Sequence, residues 1–313
     1  MAEISGVYVA MPTPFDKRGN INESVLREWI DFMIDKGVNG LFPNSTVGEY
    51  VHFSYEESCQ IIDITVNQAR GRVDVVPGAS SSCAANSIRL AKYAASRNCR
   101  AVVVCPPYYI PLNQEVLQQH YESILENVKI DLVLYNIPSF TTELSCKVIE
   151  NLASKGRVRA LKDSSGNMKN IMHYLDKLRQ IGVDVPVLTG LDDMFFPALV
   201  AGCKGCMSVL AGIVPEVNTA IYQAFQAGDM KEAKRLQDSV LLLLRAMASL
   251  PFPLGYKIAL DIRGFPFGLP RQPIPESQKY QIAGVRGVIE RELKKILGDK
   301  MVVNKRMPAW RLA

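Results

Sequence analysis

The segments DLVLYNIP (131–138) and VRALKDSS (158–165) decide the fold. Each begins as a short, mainly apolar run rich in Val and Leu, which is typical of a strand that is buried on both faces. Each run then ends on polar groups, Tyr135 with Asn136 and Lys162 with Asp163. Strands of this kind pair in parallel and are covered by helices. The two segments therefore predict a parallel sheet whose strands end on chemically useful side chains.

Eight runs of this type alternate with amphipathic stretches, such as 23–37 and 113–128, and Asn113 is positioned to cap the second stretch. Eight strand–helix units within residues 1–228 predict an α/β fold, a (β/α)8 TIM barrel, and no GxGxxG follows the first run to suggest a doubly wound sheet. Residues 229–300 predict C-terminal helices packed on the barrel, from stretches 231–250, 253–265 and 277–297, and 301–313 predicts a tail. The eight runs are 6–11, 37–44, 73–80, 100–109, 131–138, 158–164, 185–190 and 205–210.

The composition narrows the class of protein. The 313 residues are 48% hydrophobic, no window holds the roughly 18 apolar residues of a membrane helix, and the N-terminus lacks a signal peptide pattern, so a cytoplasmic protein is expected. Seven scattered cysteines indicate unpaired thiols, and the lone CxxC at 203–206 has no second pair that would favour a metal. The net charge of +5 is dispersed, which argues against nucleic acid and suits an anionic substrate.

Lys162 is the unusual residue at a strand end, since an ammonium is costly to desolvate. Catalytic groups of a barrel lie at the carboxyl ends of its strands, and five strands end there on polar residues. A lysine inside that ring would have a lowered pKa and could attack a ketone. The alternative is that Lys162 lies just past its strand and extends to water. The polar strand ends are Asn44–Glu49, Pro107–Tyr109, Tyr135–Asn136, Lys162–Asp163 and Gly190–Asp193.

An amine nucleophile needs a proton shuttle and an anion site beside it. Tyr135, on the neighbouring strand, is the first candidate for the shuttle. The turn Ser45–Thr46–Val47–Gly48 can direct backbone N–H groups at a carboxylate. Two alternatives stay open: Tyr135 as a core aromatic, and Ser45 with Thr46 as the cap of the next helix.

Five motifs occur in order: MPTPF (11–15), STVGE (45–49), PPYY (106–109), YNIP (135–138) and LKDSSG (161–166). Over residues 5–295 the chain thereby resembles the pyruvate-dependent class I aldolases of the dihydrodipicolinate synthase and N-acetylneuraminate lyase superfamily. The resemblance implies that Lys162 forms a Schiff base with pyruvate, that Tyr135 shuttles protons, and that Thr46 and the Val47 backbone hold the carboxylate. It implies no metal or cofactor. Tyr109 matches a tyrosine that reaches a neighbouring subunit's site, so a homotetramer is expected.

Departures from the motifs bear on the substrate. Phe140 stands where the synthases carry an arginine that binds the carboxylate of aspartate semialdehyde, and Phe140 cannot replace that contact. Val47 stands where most members carry a second hydroxyl of the proton relay. The first departure argues against a typical 4-hydroxy-tetrahydrodipicolinate synthase, and the second leaves proton transfer to Thr46, water or the substrate's own hydroxyl.

The remaining motifs favour a hydroxylated substrate. Asp192 and Asp193, after Gly190, match the acidic pair with which the sialic acid lyases bind sugar hydroxyls, and Ser208 lies one place before the position of the lyase serine. The pair could instead cap the next helix. The segments PPYYIPLNQE, DLVLYNIPSFT and GLPRQPI look most like 2-keto-3-deoxygluconate aldolases. We therefore expect a lyase that cleaves a 2-oxo acid of this kind to pyruvate and an aldehyde; the alternatives are synthase activity, N-acetylneuraminate lyase-like activity, or a non-catalytic protein that binds 2-oxo acids.

Overall fold

The computed structural model describes residues 3–301, and all eight predicted strands are present within that range. Each strand is shorter than its apolar run, because the last residues of each run turn outward into the loops that follow. The strands are β1 Gly6–Ala10, β2 Gly40–Phe42, β3 Asp74–Val75, β4 Val102–Val104, β5 Leu132–Asn136, β6 Val158–Asp163, β7 Val187–Thr189 and β8 Gly205–Ser208.

The strands form one parallel sheet in the order β3-β2-β1-β8-β7-β6-β5-β4. The first and last strands pair with each other, with Gly6 opposite Gly205. The two outer members of the order also meet, because the segment after β3 bridges to β4 between Gly78 and Val103. The sheet is therefore closed, and the predicted (β/α)8 barrel is confirmed.

Side chains alternate along the strands between two separate apolar clusters. Residues such as Val133 and Ala160 point into the barrel and pack with Tyr8, Phe42 and Met207. Their neighbours along the strand point outward and pack under the surrounding helices. This period of two explains why the sequence runs are apolar throughout: both faces are buried.

The helices around the sheet begin at residues that the sequence marks. Asn113 accepts a hydrogen bond from the Val116 N–H at 2.9 Å, as predicted, and Ser54 forms a capping box with Glu57. The barrel helices are α1 Glu23–Asp35, α2 Tyr55–Ala69, α3 Ala84–Ser96, α4 Gln114–Asn127, α5 Cys146–Ala153, α6 Met168–Gln180, α7 Phe195–Ala201, α8 Leu210–Ile213 and α9 Pro215–Gln226. A single 3-10 turn at Asp192–Met194 precedes α7.

The C-terminal stretches form four helices: α10 Met230–Ser239, α11 Leu241–Ala248, α12 Leu254–Ile262 and α13 Lys279–Leu297. The stretch 231–250 is thus two helices, which separate at the fully buried Val240. The break lets α10 pack on α7 and α9 while α11 packs against α12, α13 and the 3-10 turn at the barrel mouth. Apart from Met301, the predicted tail lies outside the described residues. Within residues 3–301 no helix is long and apolar enough to cross a membrane.

We predict that Gly205→Ala destabilises the barrel at the junction of β1 and β8. A Cβ at this position would lie 2.0 Å from the carbonyl oxygen of Gly6, a backbone atom of the paired strand that cannot move aside. Urea denaturation should show a loss of at least about 2 kcal/mol in the free energy of unfolding. The control is Gly284→Ala, at an exposed position of α13 where a Cβ meets nothing within 4 Å. It should be neutral or stabilising by up to about 1 kcal/mol; equal midpoints for the two variants would contradict the prediction.

Candidate active site

Tyr135 and Lys162 are cross-strand partners at the carboxyl ends of β5 and β6. The alternation along each strand turns both side chains into the barrel, above Val133 and Ala160. Their neighbours Asn136 and Asp163 point the other way and hydrogen bond to each other at 2.8 Å. The register therefore places the predicted nucleophile and the predicted shuttle side by side.

The Lys162 amine is buried in an unusual environment. Its side chain is only 3% exposed, so the alternative in which it extends to water is wrong. Nζ lies 4.1 Å from the ring centroid of Tyr135 and 4.9 Å from that of Phe42, and no ion pair to it occurs within residues 3–301. Burial lowers the pKa of Lys162 to about 7, and the nearby Asp192, Cys105 and Cys206 side chains oppose that lowering. A substantial fraction of neutral amine is thus present near neutral pH.

Asp192 is the acidic residue that most affects the pKa of Lys162. Burial raises the pKa of Asp192 to about 6, and its charge opposes the lowering of the Lys162 pKa. One carboxylate oxygen accepts a hydrogen bond from the Leu210 N–H at 3.3 Å, at the start of α8, while the buried Oδ1 has no partner. Asp192 thus holds α8 rather than capping α7, and it lines the cavity with one carboxylate oxygen that has no hydrogen-bond partner within residues 3–301.

The turn after β2 is held at both ends. Ser45 Oγ donates to the Met11 carbonyl at 2.9 Å and accepts from the Gly48 N–H at 3.1 Å. Between these anchors, the N–H groups of Thr46 and Val47 make no hydrogen bond within the described residues. Thr46 does not cap the next helix, because α2 begins nine residues later under Ser54. The turn therefore presents two unsatisfied donors, as an anion site requires.

Glu49 anchors the far end of that turn through a buried network. Its backbone is left-handed, with φ 66°, a conformation that is unfavourable for glutamate unless its surroundings impose it. One oxygen lies 2.7 Å from Nζ of the fully buried Lys257 of α12, and the other accepts the Arg271 N–H at 2.8 Å. Burial lowers the pKa of Lys257 to about 8, and Glu49 opposes that shift. The C-terminal helices thereby position the turn.

One cavity of about 380 Å³ is lined by Lys162, Tyr135, Asp192 and the turn residues Thr46 and Val47. It contains eight residues that the sequence predicted for the site, together with side chains that sequence reasoning missed. Ser164 was missed because its hydroxyl could as well face solvent, and Arg245 and Tyr256 because they come from C-terminal helices. The predicted residues in the cavity are Thr46, Val47, Tyr135, Phe140, Lys162, Gly190, Asp192 and Asp193.

Three predicted site residues do not line this cavity. Ser45 is buried behind the turn and occupied by its hydrogen bonds. Ser208 is 1% exposed, its Oγ donates to Cys206 Sγ at 3.7 Å, and it lowers the pKa of Asp192, so it supports the site from behind instead of facing a substrate. Tyr109 is 96% exposed with a left-handed backbone, φ 79°, beside the cavity of its own chain. Its place in a neighbouring subunit stays a prediction.

A neutral amine, a tyrosine hydroxyl and an anion-binding turn at the mouth of a (β/α)8 barrel define the Schiff-base class of carbonyl enzymes. Comparison with known proteins agrees and is more specific: the sequence model described as the dihydrodipicolinate synthetase family matches residues 3–291. The chain belongs to that family. It is accordingly a carbon–carbon lyase of the pyruvate-dependent class I aldolase type.

Individual relatives match over most of their length. The chain is 35% identical to the 4-hydroxy-tetrahydrodipicolinate synthase of Syntrophus aciditrophicus, over 83% of this chain and 88% of the relative. A crystal structure of a dihydrodipicolinate synthase superposes with a TM-score of 0.86 at 31% identity, covering 94% and 99% of the two chains. The chloride-inhibited dihydrodipicolinate synthase of Acinetobacter baumannii, complexed with pyruvate, has a TM-score of 0.82 at 27% identity, with 91% and 99% coverage. These names favour the synthase alternative over the expected 2-keto-3-deoxygluconate aldolase.

We predict that Lys162 reacts as a neutral amine with a midpoint near pH 7. Labelling by a small acylating reagent, quantified by peptide mass spectrometry, should increase with pH and level off above this midpoint, because only the neutral amine reacts and burial lowers its pKa. Asp192→Asn should move the midpoint to lower pH, since the carboxylate charge favours the ammonium.

Ordinary solvent-exposed lysines provide the internal control, because their labelling keeps increasing to about pH 10. A Lys162 profile that coincides with theirs would show that burial does not lower its pKa. An unchanged midpoint in Asp192→Asn would show that the two groups are not coupled.

Proposed function

We propose that the protein joins pyruvate to an aldehyde, or releases pyruvate from the adduct, through an imine on Lys162. The observation that carries this proposal is the pairing of the buried, unpaired Lys162 amine with Tyr135 in one cavity. The Thr46 and Val47 N–H groups would receive the pyruvate carboxylate, which sets the C2 ketone toward the amine.

The reaction then follows ordinary imine chemistry. The neutral Lys162 amine adds to C2, and the Tyr135 hydroxyl gives a proton to the carbinolamine oxygen, so that water leaves and a protonated imine forms. A water molecule in the cavity takes a proton from C3, which gives an enamine. Its C3 attacks the aldehyde carbon and forms the new C–C bond, while the aldehyde oxygen takes a proton back from that water and becomes a hydroxyl. In the other direction the C3–C4 bond breaks into the imine, which withdraws the electron pair. Hydrolysis returns the amine and releases the 2-oxo acid.

For the aldehyde, we infer a partner with a negatively charged end. Arg245 of α11 lines the same cavity as Lys162, with Leu241, Leu244 and Ala248 on the same helix face. Within residues 3–301 its guanidinium has no hydrogen bond or ion pair. Arg245 is an exposed residue that lines the cavity, and an arginine at such a place is suited to a carboxylate or phosphate. It can supply the cation that Phe140 does not.

Two substrates fit this cavity for different reasons. Aspartate semialdehyde is favoured by the synthase relatives and by Arg245, which could bind its carboxylate. A 2-keto-3-deoxy sugar acid is favoured by Asp192 and Asp193, whose carboxylate oxygens can accept hydrogen bonds from sugar hydroxyls. It is also favoured by Phe140, an uncharged side chain that packs against Phe252 with ring centroids 6.4 Å apart. The first substrate would make the protein a 4-hydroxy-tetrahydrodipicolinate synthase; the second would make it a 2-keto-3-deoxygluconate aldolase.

We also infer a cytoplasmic homotetramer. Tyr109, Phe140 and Phe252 are exposed aromatic residues that line one apolar groove next to the cavity, a surface suited to another subunit. All seven cysteines are unpaired thiols, which fits a reducing compartment. Light scattering on the purified protein tests the assembly.

We predict that borohydride reduction in the presence of pyruvate labels Lys162 and no other lysine. Lys257 is the control within the same molecule, because it is equally buried but ion-paired to Glu49. Peptide mass spectrometry should locate one adduct of reduced pyruvate on the Lys162 peptide and none on the Lys257 peptide. Lys162→Ala should abolish both the adduct and turnover. A folded wild-type protein that fails to label would refute the imine mechanism.

We predict that Arg245→Met raises the KM for aspartate semialdehyde by about 10–100-fold, the loss expected for one charge-assisted hydrogen bond. The KM for glyceraldehyde should change by less than about 3-fold, since that aldehyde carries no charge. Arg245→Lys should retain part of the affinity. Arg235→Met is the matched control, because Arg235 is an exposed arginine of α10 paired with Glu232. Use of glyceraldehyde but not of the semialdehyde by the wild-type protein would favour the sugar-acid candidate.

A further inference from the structure

The buried Tyr135 hydroxyl needs another group that carries protons between it and water. Tyr135 is 4% exposed, and burial raises its pKa to about 12. Its hydroxyl is therefore a weak acid with little contact to water. Each imine that forms must pass a proton through it and regain one. Another hydroxyl, in contact with both Tyr135 and the open cavity, would solve this problem.

Ser164 is in that position, and so is Thr46, whose hydroxyl also lowers the pKa of Tyr135 and which lines the same cavity. Ser164 Oγ donates to the Tyr135 hydroxyl at 3.4 Å, a contact longer than an ideal hydroxyl pair, of the kind that shortens when substrate binds. Ser164 is half-buried and lines the same cavity as Tyr135 and Lys162. It follows Lys162 by two residues, so the strand alternation puts both on the inner side. The Ser164 N–H, bonded to the Asn136 carbonyl at 2.9 Å, holds this arrangement beyond the end of the strand.

Gly190 shows how closely Ser164 and Lys162 lie together. A Cβ on Gly190 would come within 2.0 Å of Ser164 Oγ and 2.7 Å of Lys162 Cε. The space that a side chain at Gly190, just after β7, would fill is therefore occupied by the Ser164 hydroxyl and the aliphatic part of the Lys162 side chain. The absence of a side chain at Gly190 lets the hydroxyl, the amine and the Tyr135 phenol share one corner of the cavity.

The adjacent residue Ser165 has a different role. Its Oγ donates to Asp163 Oδ1 at 2.6 Å, and its N–H donates to the same oxygen at 2.9 Å. These bonds fasten the loop to the outward side of β6. Ser164 makes no bond of this kind, and within residues 3–301 its hydroxyl has Tyr135 as its side-chain partner.

We propose that Ser164 is a positioning and proton-relay residue, whose hydroxyl orients Tyr135 and passes protons between it and the cavity. The inference deepens the proposed function and rests on it. As Tyr135 protonates the carbinolamine oxygen, the C–O bond breaks, water leaves, and the amine lone pair forms the imine. Ser164 hands its proton to Tyr135 in the same event and takes one from a water molecule at the cavity mouth, which leaves hydroxide in the bulk solvent. Protons and electrons balance, and no further reactant is required.

The test compares two neighbouring serines by the rate of imine formation with pyruvate, measured by rapid quenching with borohydride. Ser164→Ala should slow imine formation and kcat by about 10–100-fold, while the dissociation constant for pyruvate changes by less than about 2-fold. Ser164→Thr keeps a hydroxyl and should recover most of the rate. Ser165→Ala should form the imine at the wild-type rate, with a lower melting temperature.

A second measurement separates a relay from a purely structural role. The solvent deuterium isotope effect on imine formation should differ between the wild-type protein and Ser164→Ala and return in Ser164→Thr. A wild-type rate and isotope effect in Ser164→Ala would overturn the inference and leave the imine mechanism intact. So would a parallel loss of pyruvate affinity and rate, because it would make Ser164 a substrate-binding residue. Absence of any imine in the wild-type protein would remove both proposals.

Discussion

Burial of the Lys162 amine without an ion pair is the constraint on which the rest of the structure depends. A desolvated ammonium is unfavourable by several kcal/mol, so the surroundings must favour the neutral amine and still leave room for a substrate. The inner face of the barrel does this by excluding water from the amine, which lies against the rings of Phe42 and Tyr135, and burial lowers the pKa of Lys162. Asp192, the nearby acid, is itself buried with a raised pKa, which weakens its hold on a proton-bearing lysine. A fully ionised carboxylate in contact with Nζ would keep the lysine protonated and unreactive.

Within residues 3–301 two lysines are buried, Lys162 and Lys257, and they differ in whether the amine has an ionic partner. Lys257 is as inaccessible as Lys162, but Glu49 lies 2.7 Å from its amine, and the pair is further held by Arg271 and the Leu269 carbonyl. This ion pair sits behind the anion-binding turn and fixes the strained backbone of Glu49. One lysine therefore stabilises geometry while the other is left available for chemistry, and the difference lies in the partner rather than in the depth of burial.

The C-terminal helices belong to the active site as much as the barrel does. Helix α12 supplies Lys257 behind the turn, and α11 lies across the mouth with Arg245 in the cavity. In the proposed reaction the groups at the strand ends act on the 2-oxo acid, and those on the helices meet the other half of the substrate. Such a division lets the second substrate change without disturbing the imine chemistry, as is common for sites built on barrels.

The sequence by itself determined the barrel, the rim of polar strand ends and the pairing of Lys162 with Tyr135. Period-two burial and parallel pairing bring the carboxyl ends of strands together whatever the details of packing. Only the tertiary structure decided which loop hydroxyls face the cavity: Ser164 does, whereas Ser45 and Ser208 turn into hydrogen bonds of the scaffold. It alone also brought Arg245 and the Lys257–Glu49 pair to the site. Those positions depend on the direction of the backbone in loops and on contacts between segments about 200 residues apart. Neither produces a periodic pattern of apolar residues that could be recognised in the sequence.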